Sequence, residues 1–291
     1  MNLLQLTCNE YPFQPREWKS DQGIISYVDE GTGVPVVCLH GNPTWSFLYR
    51  KAVLSLRDEF RCVVPDHLGC GLSEKSSKAD YNLTGHINRL EGLLNHLKIK
   101  YCHLIVHDWG GAIGCGLALK NRDRIKTLTL LNTAAFLKPI PHWTIKVAQI
   151  PFLGALLTRG LNAFARGAAF KGSIKGLDDE ALKGFLGPYN SWKNRLAIHR
   201  FVQDIPTNVK HPTYSVLKKI DQQLHLLSVI PMNILWGKQD FCFNDSFLEE
   251  WKNRFPKASV SVYENAGHYL LEDAGDQIVP NIKGFLKQVT V

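Results

Sequence analysis

Val106-His107-Asp108-Trp109-Gly110-Gly111 closes the apolar run Cys102-His103-Leu104-Ile105 and leads at once into the small, helix-forming stretch Ala112-Ile113-Gly114-Cys115-Gly116-Leu117. An apolar strand that ends on an acidic residue and turns directly into a helix is a nucleophile elbow: the central side chain projects from a strained corner, and small residues beside it let strand and helix approach. Gly110 and Gly111 fit that need. Val106 departs from it, because it stands where the general pattern has Gly. The start of the helix offers backbone N–H groups, that of Trp109 among them, to negative charge. An Asp here also makes a favoured helix N-cap. Its chemistry differs from that of the usual Ser: a carboxylate displaces a leaving group at saturated carbon and leaves an ester that water can open.

Short apolar runs alternate with helical patterns on both sides of this corner: PVVCLH (35–40), RCVVPDH (61–67), CHLIVHD (102–108), IKTLTLLNT (125–133), MNILWGKQD (232–240) and ASVSVYENAGH (258–268). That is the rhythm of βαβ units around a parallel sheet. Near the start, segments around REWKS and GIISYVDEG, separated by the turn-forming SDQG, predict two antiparallel strands entering it. The expectation is an α/β-hydrolase fold with a mostly parallel eight-stranded sheet. Residues 1–133 and 216–291 form the core, and 134–215, helical in period and rich in proline, form an inserted cap.

Two residues complete the chemistry of Asp108. Asp240 ends MNILWGKQD, and His268 follows the last apolar run in Asn265-Ala266-Gly267-His268. Nucleophile, acid and histidine in that order is the chain order of α/β-hydrolase triads. The acid holds the imidazole in its useful tautomer and stabilises the imidazolium, while the histidine activates water or relays a proton. A loop after PVVCLH carries Asn42, whose amide can donate to a developing anion. With the indole N–H of Trp109, a donor without acceptor capacity, it makes a socket for a leaving anion. Trp109 also fits as a packed aromatic.

His107 lies beside Asp108, but alternation turns it to the other face and assigns it a structural place. Asp66 and the glycines of DHLGCGLS shape a loop, and Tyr189 and Tyr214 of the cap are further donors or packing residues.

The bulk properties restrict the class. With 291 residues, 45% of them hydrophobic and 21% charged, the chain can bury one large core and is neither disordered nor collagen-like. Its seven cysteines are scattered with no C-x-x-C pair, which predicts small buried thiols in a reducing cytoplasm and no zinc site. No metal and no cofactor is expected. The first twenty residues lack the pattern of a secretory signal, and no stretch reaches the roughly 20 apolar residues of a membrane span. Residues 134–215 carry eleven Lys or Arg against four Asp or Glu, so +7 of the net +8 resides there. That excess is either a solvated face or a surface for an anionic membrane, an acidic partner protein or an anionic substrate; nothing resembles a nucleic-acid-binding motif.

HGNPTWSFLYR (40–50), VHDWGGAIG (106–114), WGKQD (236–240) and NAGHYLLED (265–273) together resemble the haloalkane dehalogenase family. The resemblance implies Asp108 as nucleophile, His268 as base, and Asn42 and Trp109 as halide stabilisers. Asn132 stands where one subgroup has its acidic Glu, which leaves Asp240 as the acid. LNTAAF (131–136), RGLNAFARGAA (159–169) and PYNSWKNRLAIHRFVQDIP (188–206) look like the β-lactone decarboxylases of bacterial long-chain olefin biosynthesis, a branch of the same family. That likeness implies a small apolar substrate, a cis-3,4-dialkyl β-lactone converted to a cis-alkene and carbon dioxide. Haloalkane dehalogenase is the alternative, and epoxide hydrolase a further one that would use the cap tyrosines. A binding protein on a hydrolase scaffold would need none of these residues together.

Overall fold

The computed structural model describes residues 10–138 and 143–290. Eight strands form one sheet: β1 (Arg16–Lys19), β2 (Ile24–Glu30), β3 (Pro35–Leu39), β4 (Arg61–Pro65), β5 (Cys102–Asp108), β6 (Ile125–Thr133), β7 (Met232–Gly237) and β8 (Ser259–Tyr263). Their order is β1-β2-β4-β3-β5-β6-β7-β8. β1 pairs with β2 and β2 with β4 antiparallel, and every later pair is parallel. The expected eight-stranded α/β-hydrolase sheet is therefore present, with its two antiparallel pairings at one edge and β2 alone running against the other strands.

The helices are α1 (Arg50–Leu56), α2 (Leu83–His96), α3 (Trp109–Lys120), α4 (Trp143–Gln149), the single turn α5 (Leu153–Ala155), α6 (Ala163–Gly172), α7 (Asp179–Leu186), α8 (Leu196–Gln203), α9 (Pro212–Gln223), α10 (Asp245–Arg254), α11 (Leu270–Asp273) and α12 (Gly275–Thr290). Among the described residues no helix is long and apolar enough to cross a membrane.

Alternation along the strands sorts the core into two layers. Val37, Leu39, Val63, Leu104, Val106, Leu130 and Ile234 point to the face covered by α2, α3, α9 and α10. Val36, Cys38, Cys62, Val64, Ile105, Leu131 and Leu235 point to the face covered by α1 and α12. A parallel sheet is sandwiched between helices, so its strands read as continuous apolar runs, and each fully buried aliphatic side chain contributes roughly 1.5–3 kcal/mol. Of the cysteines, Cys38, Cys62, Cys70, Cys102 and Cys115 are free and buried in these layers, Cys242 is free and half-buried, and Cys8 lies outside the described residues.

The segment between β6 and β7 holds α4 to α9. Helix α9 straddles residue 215, and its Leu217 and Ile220 join the same buried layer as α3. Its N-terminal turn is capped by the His211 ring, which accepts from the Thr213 N–H at 3.2 Å, and Pro212 occupies the first helical position. The chain thus returns to the sheet through α9 before β7 begins.

Candidate active site

The sharpest feature of the backbone is at Asp108, where φ is 50° and ψ is −128° between β5 and α3. A non-glycine residue held in such a region costs of order 1–3 kcal/mol and persists only where its surroundings over-determine it. They do so here. A Cβ on Gly110 would strike the Leu39 carbonyl, and one on Gly111 the Thr133 side chain, so the helix starts pressed against β3 and β6. The Thr133 hydroxyl donates to the Asp108 carbonyl oxygen. Val106, the departure from the general pattern, packs its Cγ1 against Gly114, and that glycine provides the close approach of strand and helix.

The corner presents the Asp108 carboxylate to the loop after β3. Gly41 touches it so closely that a Cβ there would overlap the carboxylate, and the Asn42 N–H donates to Oδ1 at 2.7 Å. Burial raises the pKa of Asp108, and the His268 charge and the backbone N–H groups of Trp109 and Asn42 hold that rise back. His268 sits on the other side, its Nε2 3.9 Å from Asp108 Oδ2. Its Nδ1 is 2.9 Å from Asp240 Oδ2, while the N–H groups of Cys242 and Phe243 donate to Asp240 Oδ1 at 2.6 and 3.1 Å. Burial lowers the pKa of His268, but Asp240 and then Asp108 more than offset it, and the net shift is upward. Phe243 stacks on the imidazole and Phe241 meets it edge-on, which fixes the ring plane.

Asp240, expected at the end of its strand, lies beyond Gly237 of β7, and His268 follows Tyr263 of β8, past the last strand as expected. The tie that brings Asp240 into range is Asn132. Its φ is 29°, its Nδ2 donates to the Gly237 carbonyl at 3.0 Å, and its Oδ1 accepts from the Gly237 N–H at 2.7 Å. This residue clamps β6 to the end of β7.

Asp108, His268, Asn42 and Trp109 line one cavity of about 150 Å³, with Ala112, Phe136, Ile145, Phe164, Ala168, Leu217 and Phe247 among its apolar walls. Asn42 offers more than the amide the sequence suggested: its backbone N–H binds Asp108, one side-chain N–H donates to the Ile198 carbonyl at 3.2 Å, and its Oδ1 is buried without a partner. Cys242, expected to be a buried core thiol, is instead a wall of this cavity. Tyr189 is not: its hydroxyl accepts from the Gly71 N–H at 3.2 Å and donates to the Thr44 carbonyl at 3.3 Å, fully buried behind the site. Tyr214 does not line the cavity either.

Three supporting residues carry no sequence signal as strong as the triad. His107, on the far face as alternation requires, reaches round to the His268 carbonyl with Nε2 at 2.8 Å, and burial holds its pKa well below the ordinary value. Asp273 accepts from the N–H groups of Gly267, Ile174 and Lys175 at 2.8, 3.1 and 3.0 Å and from the Ser173 hydroxyl at 2.6 Å, which ties the His268 loop to the end of α6. Arg50, buried, pairs with Glu272 and Glu10 and lies over the Phe47 ring at 4.0 Å. The hint in sequence was only an acid following the histidine and an arginine in an apolar run. Asp66 shapes its loop as expected, accepting from the Ser46 and Leu72 N–H groups at 2.7 and 2.8 Å.

Residues 34–275 match the model of the α/β-hydrolase fold family. The chain belongs to the α/β-hydrolase fold family. This α/β-hydrolase is 41% identical to a cis-3-alkyl-4-alkyloxetan-2-one decarboxylase of Shewanella oneidensis over 95% of its own length and 89% of the relative's. It is 40% identical to one of Xanthomonas campestris over 97% and 99%. Haloalkane dehalogenase 2 of Mycobacterium tuberculosis is 32% identical over 94% of each chain. Haloalkane dehalogenase DbeA from Bradyrhizobium elkani superposes with a TM-score of 0.87 at 20% identity, over 96% of this chain and 99% of that one. The chain is an enzyme of this fold related to the decarboxylases and the dehalogenases. Among the described residues no cluster of His, Cys, Asp and Glu could hold a metal ion.

Proposed function

We propose that the enzyme is a cis-3-alkyl-4-alkyloxetan-2-one decarboxylase with Asp108 as its covalent nucleophile. The observation that carries the chemistry is the Asp108 carboxylate, forced into a strained corner at the floor of an apolar cavity with His268 behind it. The choice of a β-lactone over a haloalkane follows the two decarboxylase relatives, which are nearer in sequence than the dehalogenase 2 relative.

Asp108 attacks the saturated ring carbon that bears the ring oxygen. The new bond is Asp108 Oδ–C, the bond broken is C–O, and ring strain is released as a carboxylate leaves. That carboxylate takes the place a halide would take, against the Trp109 indole N–H and the free N–H of the Asn42 amide. Loss of carbon dioxide then sends the C–C electron pair into the alkene, and the Asp108 carboxylate departs with the ester electrons. His268, with its pKa raised by Asp240 and Asp108, supplies positive charge against the carboxylate that Asp108 regains. A haloalkane in the same place would give a simple alkyl ester of Asp108 and a halide ion, and His268 in its neutral form would open that ester by taking a proton from the attacking water.

Residues 1–133 and 216–291 supply the chemistry, and 134–215 roof the cavity with apolar walls such as Ile145, Phe164 and Ala168. The absence of cap tyrosines from the cavity wall supports a leaving-group site over protonation of an epoxide oxygen. The six cysteines among the described residues are all free, which supports a reducing, cytoplasmic setting. Mass spectrometry of rapidly quenched enzyme given a cis-dialkyl β-lactone tests the proposal: the substrate's mass should be found on the Asp108 peptide, and a label only elsewhere, or none under single turnover, would contradict it.

A further inference from the structure

We infer that the outer face of the inserted segment is a docking surface for an anionic lipid bilayer. Phe152 is 92% exposed and Phe170 83%, far beyond what a folded surface needs of a large aromatic. Phe152 is also held at φ 61° and ψ −51°, rare for a bulky residue, at the tip of a tight turn closed by the Leu153 N–H on the Pro151 carbonyl at 2.7 Å. Leu153, Leu156 and Leu161 are exposed beside it, and the chain between Leu156 and Gly160 is a π-turn. Trp192 is half exposed under the Arg159 guanidinium, which lies 4.4 Å from the ring centroid.

Charge selects the occupant. No Asp or Glu occurs between Asp123 and Asp178, whereas Lys146, Arg159, Arg166, Lys171 and Lys175 all fall in that interval. On α6, Arg166 and Phe170, one turn apart, are exposed on one face, and Lys171 is exposed in the last turn, while Phe164 and Ala168, one turn apart on the opposite side, line the cavity wall. Apolar side chains projecting singly among cations, with no anion between them, suit a surface that is negative at its headgroups and apolar just below. A protein partner would instead call for acidic complements and a flatter apolar patch. The same short helix thus has lipid on one side and the cavity on the other, so that an insoluble substrate reaches Asp108 without crossing water. That last point rests on the β-lactone proposal; bilayer binding itself does not.

The test is co-sedimentation of the whole chain with vesicles, which uses no substrate and so fails or succeeds apart from the catalytic proposal. The protein should pellet with phosphatidylglycerol–phosphatidylcholine vesicles at low salt and far less with phosphatidylcholine alone. Phe152→Asp with Phe170→Asp should weaken binding roughly a hundredfold. Arg166→Glu with Lys171→Glu should weaken it about tenfold or more, an effect that salt erases. Unchanged circular dichroism and thermal midpoints keep the two variants interpretable. The inference is overturned if the wild type stays in the supernatant with anionic vesicles, or if both variants bind as it does. It is equally overturned if the Phe pair instead dissolves a dimer seen in sedimentation velocity while vesicles bind nothing.

Discussion

The Asn42 N–H donates to Asp108 Oδ1 at 2.7 Å, so one carboxylate oxygen is clamped and Oδ2 is the one that faces His268 Nε2 at 3.9 Å. The elbow, the loop after β3 and the histidine loop meet at one carboxylate, each from a different strand.

Asp108→Asn keeps the size and much of the hydrogen bonding but removes the nucleophile. Turnover should fall by roughly 10⁴ or more, as when a member of a catalytic unit is lost. Burial disfavours the Asp108 charge, so the same variant should unfold at an equal or higher temperature. Steady-state kinetics and a thermal melt check both halves, and a melt lowered by several degrees would contradict the second.

Asp240 raises the pKa of His268 against burial. In the wild type, proton magnetic resonance should place the His268 titration above 6.5, and in Asp240→Asn it should drop below the wild-type value. Asp108 must be ionised to attack and burial raises its pKa, so kcat/KM should fall as pH drops through a point above the ordinary 3.8. A pH profile flat down to that value would remove burial as the controlling influence on Asp108.

How far the sequence reached is clearest at these residues. Asp108 and Asp240 are legible because each follows an apolar run that reads as a buried strand, and His268, past the exposed edge strand β8, is legible from the chain order of the triad. Asn42 was legible as a site residue but not as a backbone donor, because the direction of a main-chain N–H depends on how the loop folds over Gly41. Asp273 and Arg50 are invisible as supports because the partners that tie them across the fold, Ser173 for Asp273 and Glu272 for Arg50, lie 100 and 222 residues away, and no local pattern encodes such distances. Asp240 lies three residues past the end of β7, since nothing local marks where strand pairing stops before Lys238 and Gln239, whereas His268 falls past its strand as expected. Cys242 reads as core because a small apolar residue type serves as wall and core alike.

Buried neutral histidines should make the fold acid-sensitive. Burial pushes His67 and His103 from an ordinary 6.5 down to about 4. Between those values the unfolded chain binds protons that the folded chain refuses, so stability is complete above about 6.5 and is lost as pH falls toward 4. Each histidine contributes about 3 kcal/mol across that window. Asp66 and Asp204, pushed by burial up to about 6, act in the opposite sense over the same window, so the test compares variants. The urea midpoint of His103→Gln should fall less between pH 7 and pH 4 than that of the wild type, and an equal fall would rule out His103.

Ala168 packs on the cavity wall from α6. Ala168→Trp should fill the space next to Phe164 and cut kcat/KM for a long-chain substrate by roughly tenfold or more relative to a short-chain one, through KM rather than kcat. Equal losses for both chain lengths would mean that the alkyl chain does not pass this wall.

The most direct measurement is gas chromatography of the products formed from a long-chain cis-3,4-dialkyl β-lactone, run beside halide release from a 1-bromoalkane, with Asp108→Asn as control. The intact enzyme should yield the cis-alkene and carbon dioxide, and the variant should yield neither. Halide release without alkene, or alkene formed equally by Asp108→Asn, would contradict the account.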